Sequence, residues 1–120
     1  MNHWKERVTL FRRSVDATGK VTWSSRFLYG CYWIEKTGVS PTGGSSAVTA
    51  TRAVRIPMKV DIAIGDIVVN GAVLDSVDEY TVGKRSTDLR KKYPASFTVR
   101  GIHDNVRVGR PIPHIYAEGA

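Results

Sequence analysis

Alternation constrains this sequence more than any other feature: apolar and polar residues exchange every second position in run after run, and only one short segment follows a helical period. A period of two puts successive side chains on opposite faces of a strand, whereas an amphipathic helix repeats every three to four residues. In residues 6–13, Val8, Leu10 and Arg12 share one face, and Thr9, Phe11 and Arg13 share the other. Asp16 to Lys20 predicts a turn, because Gly19 tolerates positive φ and Asp16 can bond its own backbone. Val21-Thr22-Trp23 resumes the strand pattern, and Phe27 to Glu35 predicts a longer strand. Phe27, Tyr29, Cys31 and Trp33 are expected on one of its faces, with Leu28, Tyr32 and Ile34 opposite, so both sides should be covered. Val48 to Met58 predicts another long strand, ended near Pro57, which lacks a backbone donor. Gly65-Asp66 turns the chain into Ile67-Val68-Val69, and Asn70-Gly71 favours a tight turn from which Ala72-Val73-Leu74 pairs back. Ala95 to Ile102 predicts a strand, His103-Asp104-Asn105 a turn, Val106 to Val108 a brief strand and Ile112 to Tyr116 the closing one.

Residues 84–93 differ in kind. Ser86 suits a helix cap, Asp88 the first turn, and Lys91 and Lys92 the last, an order that agrees with the helix dipole. Leu89 and Tyr93, four apart, would face the core, and Pro94 ends the segment. Residues 36–47 are rich in Ser, Thr, Gly and Pro and predict a long flexible loop, because they offer little to a core. The chain is expected to be one mostly β domain over residues 1–120, a small barrel or sandwich, with one short α-helix and the 36–47 loop as insertions.

Cys31 is the sole cysteine, so no internal disulfide can form, and its place in an aromatic strand predicts a buried thiol. Nothing approaches the ~20 apolar residues needed to cross a bilayer; a soluble product with no membrane partner is expected. The net charge of +7 is uneven: +6 over residues 1–58, −4 over 59–83 and +6 over 84–110. The acidic middle, Asp61, Asp66, Asp75, Asp78 and Glu79, is a candidate contact surface. The basic set Lys84, Arg85, Arg90, Lys91, Lys92, Arg100, Arg107 and Arg110 is another. Patches of opposite sign suit contacts between copies or partners, and a basic face also suits proximity to nucleic acid.

Motifs that carry chemistry are not found. His3, His103 and His114 lie in separate segments without metal-ligand spacing. The carboxylates adjoin glycines and turns, where they usually meet water, and Gly43-Gly44 lacks the ending of a phosphate loop. No catalytic residue, metal or cofactor is expected.

The order of several stretches is similar to a known group. Val8-Thr9-Leu10-Phe11 and Gly30-Cys31-Tyr32-Trp33 are followed by Gly65-Asp66-Ile67-Val68-Val69 and Asp78-Glu79-Tyr80-Thr81. Then come Lys84-Arg85-Ser86-Thr87-Asp88-Leu89-Arg90-Lys91-Lys92-Tyr93 and Phe97-Thr98-Val99. From about residue 7 to 118 the chain resembles head-closure proteins, also called stopper or head-completion proteins, of the head–tail connector of long-tailed bacteriophages. The resemblance implies a small β-barrel with an inserted helix that forms a homo-oligomeric, dodecameric ring in the virion. That ring would close the DNA channel, lie near packaged double-stranded DNA, and bind a portal-side adaptor on one side. Tail terminator or tail tube proteins would be its partners on the other. By the same resemblance, Gly38, Val39, Ser40, Pro41, Thr42, Gly43, Gly44, Ser45 and Ser46 would form a loop toward the channel. Alternatives are another junction component, such as an adaptor or tail terminator, or a basic DNA-binding barrel.

Overall fold

Why the strands close on themselves follows from where their side chains are buried. The structure, a computed structural model, describes residues 5–42, 45–104 and 115–119, with the side chains of 36–50 and 104 excepted. Six strands run β1 (Glu6–Val15), β2 (Val21–Thr42), β3 (Ser45–Ile56), β4 (Ile67–Asn70), β5 (Ser96–Asp104) and β6 (Ile115–Gly119). A seven-residue helix, α1 (Ser86–Lys92), lies between β4 and β5. Every neighbouring pair is antiparallel, and the order β1-β2-β3-β6-β5-β4 closes into a barrel. Closure leaves no sheet edge within the barrel itself to be capped.

The interior is filled by Val8, Leu10, Leu28, Cys31, Trp33, Val54, Ile56, Val68, Phe97, Val99, Ile115 and Ala117, with the Trp33 and Phe97 rings 5.5 Å apart. Each large side chain fully buried in such a core contributes about 1.5–3 kcal/mol. A second, smaller core lies outside the barrel. Phe11, Ile67 and Val69 project outward from β1 and β4 and meet Val77 and Leu89, with Trp23, Val73 and Tyr93 around them. Both faces of β1 and β4 are therefore apolar. One looks into the barrel, and the other is roofed by α1 and the chain leading to it.

Four expectations are corrected. Phe27, Tyr29, Cys31 and Trp33 do not share a face. Val8 pairs with Leu28 but Glu6 pairs with Cys31, so β2 carries one extra residue opposite Arg7, with Gly30 at φ 72°. This bulge shifts the inward parity from even to odd. Leu28, Cys31 and Trp33 point inward, while Phe27, Tyr29 and Tyr32 are exposed. A matching shift between Val99 and Gly101 on β5 leaves Arg100 as the extra residue. The two bulged strands lie diametrically opposite in the closed order, where local bending helps a small sheet wrap.

Residues 36–47 do not form an irregular loop. β2 and β3 continue as a paired ribbon, from Lys36↔Thr51 out to Thr42↔Ser45, beyond the last β3–β6 pair at Arg52↔Gly119. Backbone pairing with the opposite strand outweighs the weak strand preference of Ser, Gly and Pro. Gly43 and Gly44 lie outside the described residues.

Ala72-Val73-Leu74 does not pair back, because both sides of β4 are already occupied by β1 and β5. The chain instead crosses β1. Gly71 N donates to the Arg7 carbonyl, and the buried Thr9 hydroxyl donates to the Gly71 carbonyl and accepts from Val73 N. His103 and Asp104 are strand rather than turn, paired with Tyr116 and Ile115. Val106 to Val108, and the first part of the closing strand at 112–114, lie outside the described residues.

Candidate interaction surfaces

The helix layer is built by carboxylates. Arg85, not Ser86, is the N-cap of α1, and Asp88 Oδ2 accepts from Arg85 N. Ser86 N donates to Glu79 Oε1, which also accepts from Trp23 Nε1 at 3.1 Å. One carboxylate thus ties the helix start to β2. At the other end Asp75 accepts from Lys92 Nζ at 2.7 Å and from the Tyr93 hydroxyl at 2.6 Å. These two bonds, Lys92 first, hold the Asp75 carboxyl below its ordinary range. Asp78 accepts from Tyr80 N and the Thr81 hydroxyl, which lower its pKa.

These contacts redistribute the acidic set. Asp66 is buried and cannot belong to a contact surface. It accepts from Arg13 N and Ala63 N, and its Oδ2 lies 2.7 Å from Arg12 Nε in an ion pair that lacks hydrogen-bond alignment. It joins β1 to the loop before β4. Asp75 and Glu79 are half-buried in the helix layer, while Asp61 and Asp78 are exposed. Of the basic set, Lys84, Arg85, Lys91, Lys92 and Arg100 are exposed and Arg90 is half-buried. Lys92 is engaged with Asp75. Arg107 and Arg110 lie outside the described residues, as do His3 and His114. Among the described residues, no three His, Cys, Asp or Glu side chains converge, and no helix is long and apolar enough to cross a membrane. Burial, and secondarily the Glu6 charge, pushes the Cys31 thiol up to about 12.

Sequence reasoning missed a lateral row on the outer wall. Tyr32 pairs with Arg55, Arg55 with Tyr116, and Tyr116 with His103, so four strands present these side chains side by side. The Arg55 guanidinium lies 5.9 Å from the Tyr32 ring centroid and 5.8 Å from that of Tyr116. The Tyr116 and His103 rings are 5.9 Å apart, and His103 Nε2 is 3.7 Å from Glu118. Farther along β2, Arg7 lies 5.5 Å from the Tyr29 ring. The row could not be read from separate segments, because it is assembled by strand neighbours 13 to 61 residues apart in sequence. Tyrosine and arginine are the side chains most enriched at the energetic centres of protein interfaces.

The helix layer presents its own exposed apolar groups. Leu74 is 90% exposed, Val82 85% and Tyr80 59%. Since β4 and β1 lie across the barrel from β3 and β6, these groups and the Tyr–Arg row occupy opposite walls. Between the β1–β2 turn and the layer runs a groove of about 710 Å³ lined by Lys20, Trp23, Val77 and Tyr80 among others.

Comparison with known proteins finds a match over residues 3–120 to a family of unknown function, DUF6751, and the chain belongs to that family. No curated protein and no solved structure matches it.

Proposed function

We propose that this family member is a structural subunit of a phage particle, a head-closure protein that assembles with copies of itself into a ring at the head–tail junction. In that role it is an interaction module, not an enzyme. Its ring would sit between a portal-side adaptor and the tail terminator or tube, close to packaged duplex DNA. The observation that carries the reading is the pair of opposed walls, one presenting the row Tyr32, Arg55, Tyr116 and His103, the other a helix layer with exposed Leu74, Tyr80 and Val82. Contacts between unlike faces of successive copies generate rings when the rotation closes. The resemblance in segment order supplies the biological setting, and the projecting β2–β3 ribbon supplies a part that a neighbour or the channel could hold. An isolated two-stranded ribbon has marginal stability in water, so such an arm gains from a partner.

Sedimentation of the purified chain, alone and with the portal-side assembly of its own phage, tests this reading. A closed oligomer on mixing is expected, weakened by Arg55→Ala or Leu74→Asp with the fold intact by circular dichroism. A strict monomer in both conditions would defeat it.

A further inference from the structure

Two arginines from different elements meet at the rim where β5 begins, and the charge of a third, Arg100 on β5, acts on one of them. The Arg90 guanidinium, on α1, donates from Nε to the Ser96 hydroxyl at 2.9 Å and from Nη1 to the Thr98 hydroxyl at 2.8 Å. Arg52, on β3, donates from Nη1 to the Ser96 carbonyl at 3.2 Å. Both guanidinia therefore converge on one buried residue. The Ser96 hydroxyl is itself oriented, donating to the Tyr93 carbonyl at 2.6 Å, so it can only accept from Arg90. Arg100, the bulge residue of β5, is two positions beyond Thr98 and is exposed.

Neutral oxygens fix the direction of Arg90 without cancelling its charge. Among the described residues, the carboxylate in contact with this group is Glu35, 3.4 Å from Arg52 Nε and shared with Trp33 Nε1. Burial, then the charges of Arg52 and Arg100, lower the Arg90 pKa, the electrostatic sign of like charges crowded together. A guanidinium has five N–H donors, and the contacts above engage two on Arg52 and two on Arg90. Crowded cations with fixed, unspent donors form a receptor for an anion.

We infer that Arg52, Arg90 and Arg100 form a binding site for a phosphate group, with Ser96 and Thr98 as the scaffold that orients Arg90. A tetrahedral oxyanion can meet three guanidinia at once, whereas a carboxylate has two oxygens to share. The site stands independently of ring assembly, since all its residues belong to one chain.

The test compares thermal melting in sodium phosphate and in sodium chloride at equal ionic strength and pH, for the wild type, Arg100→Gln and Arg52→Gln. The wild type should melt higher in phosphate, with a saturable rise. Among the described residues Arg100 makes no hydrogen bond or ion pair, so Arg100→Gln should melt no lower than wild type in chloride. Its half-saturating phosphate concentration should rise about tenfold, the loss of one charge-assisted contact. A second arm replaces phosphate with a short DNA duplex. Protection by the duplex that the variants lose would identify a backbone phosphate, and protection by inorganic phosphate alone a free ion. If phosphate and duplex leave the wild-type melting temperature at its chloride value, the arginines are neutralised from within the chain and the inference fails. It also fails if both variants keep the wild-type rise at the wild-type half-saturating concentration.

Discussion

Asp66 shows what a buried carboxylate does in a barrel this small. It accepts two backbone N–H groups, from Arg13 and Ala63, that β-sheet pairing does not satisfy, and it neutralises the Arg12 side chain. Asp66→Ala would strand both donors, and bonds to a charged acceptor contribute about 1.5–3 kcal/mol. A loss of about 3 kcal/mol in urea unfolding is expected; a change under 1 kcal/mol would mean that water replaces the carboxylate. Asp75 carries a pH signature instead. Its folded pKa lies below the ordinary 3.8 because Lys92 and Tyr93 hold the ionised form. Its contribution is therefore complete above the unfolded value and is lost as pH falls through the lower folded value. Asp75→Asn should flatten the stability–pH slope in that acid range, measured by melting between pH 2 and about 5. Asp16 and Asp78 are lowered too, so the slope should diminish without vanishing. Cys31, buried with its thiol pushed to about 12, should resist alkylation by iodoacetamide at about pH 8 until the protein is unfolded. Rapid labelling of the native chain would mean that the barrel opens at β2.

The element most dependent on one residue is β2. Gly30 at φ 72° makes the bulge that turns Cys31 and Trp33 inward and leaves Tyr29 and Tyr32 outside. A side chain in the left-handed region costs about 1–2 kcal/mol. Gly30→Ala should lower the unfolding free energy by that amount, read as a lower urea midpoint with an unchanged m-value, and an unaltered midpoint would show that the bulge relaxes freely. Strand periodicity made β1, β3 and β5 legible, and the order Ser86, Asp88, Lys91, Lys92 made α1 legible. The parity switch in β2 was not, since a glycine in an aromatic run marks a bulge or a plain strand position equally. Nor was the capping role of Glu79, which reaches α1 from seven residues upstream and β2 from 56 residues downstream.

At the scale of the molecule, the barrel and its arm separate cleanly. Among the described residues the ribbon beyond Arg52 pairs only with itself, over about 24 Å for seven residues per strand. Deleting residues 38–46 would join Thr37 to Ala47 and leave three residues, 47–49, to connect the pair Thr37↔Ala50, a permitted hairpin length. The deletion protein should fold with the melting temperature of the full chain but fail to retain DNA in assembled particles; normal retention would remove the ribbon from channel closure. The contact surfaces proposed from charge alone were only partly legible. Asp61, Asp78, Lys84, Arg85, Lys91 and Arg100 are exposed as a surface role requires, whereas Asp66 is spent in the interior and Asp75 and Glu79 in the helix layer.

Alternation, turn residues and one capped helical segment determined by themselves that this chain would be a small β domain with a single helix. Each of those signals is local, acting over two to four residues. Tertiary structure decided the rest. Closure placed Phe11, Ile67 and Val69 under a helix on the outside of the barrel and lined up Tyr32, Arg55, Tyr116 and His103. It also brought Arg52 and Arg90 onto Ser96 at one rim. The physical reason is that neighbours in a closed sheet are set by register across strands, and a shift of one residue exchanges the two faces.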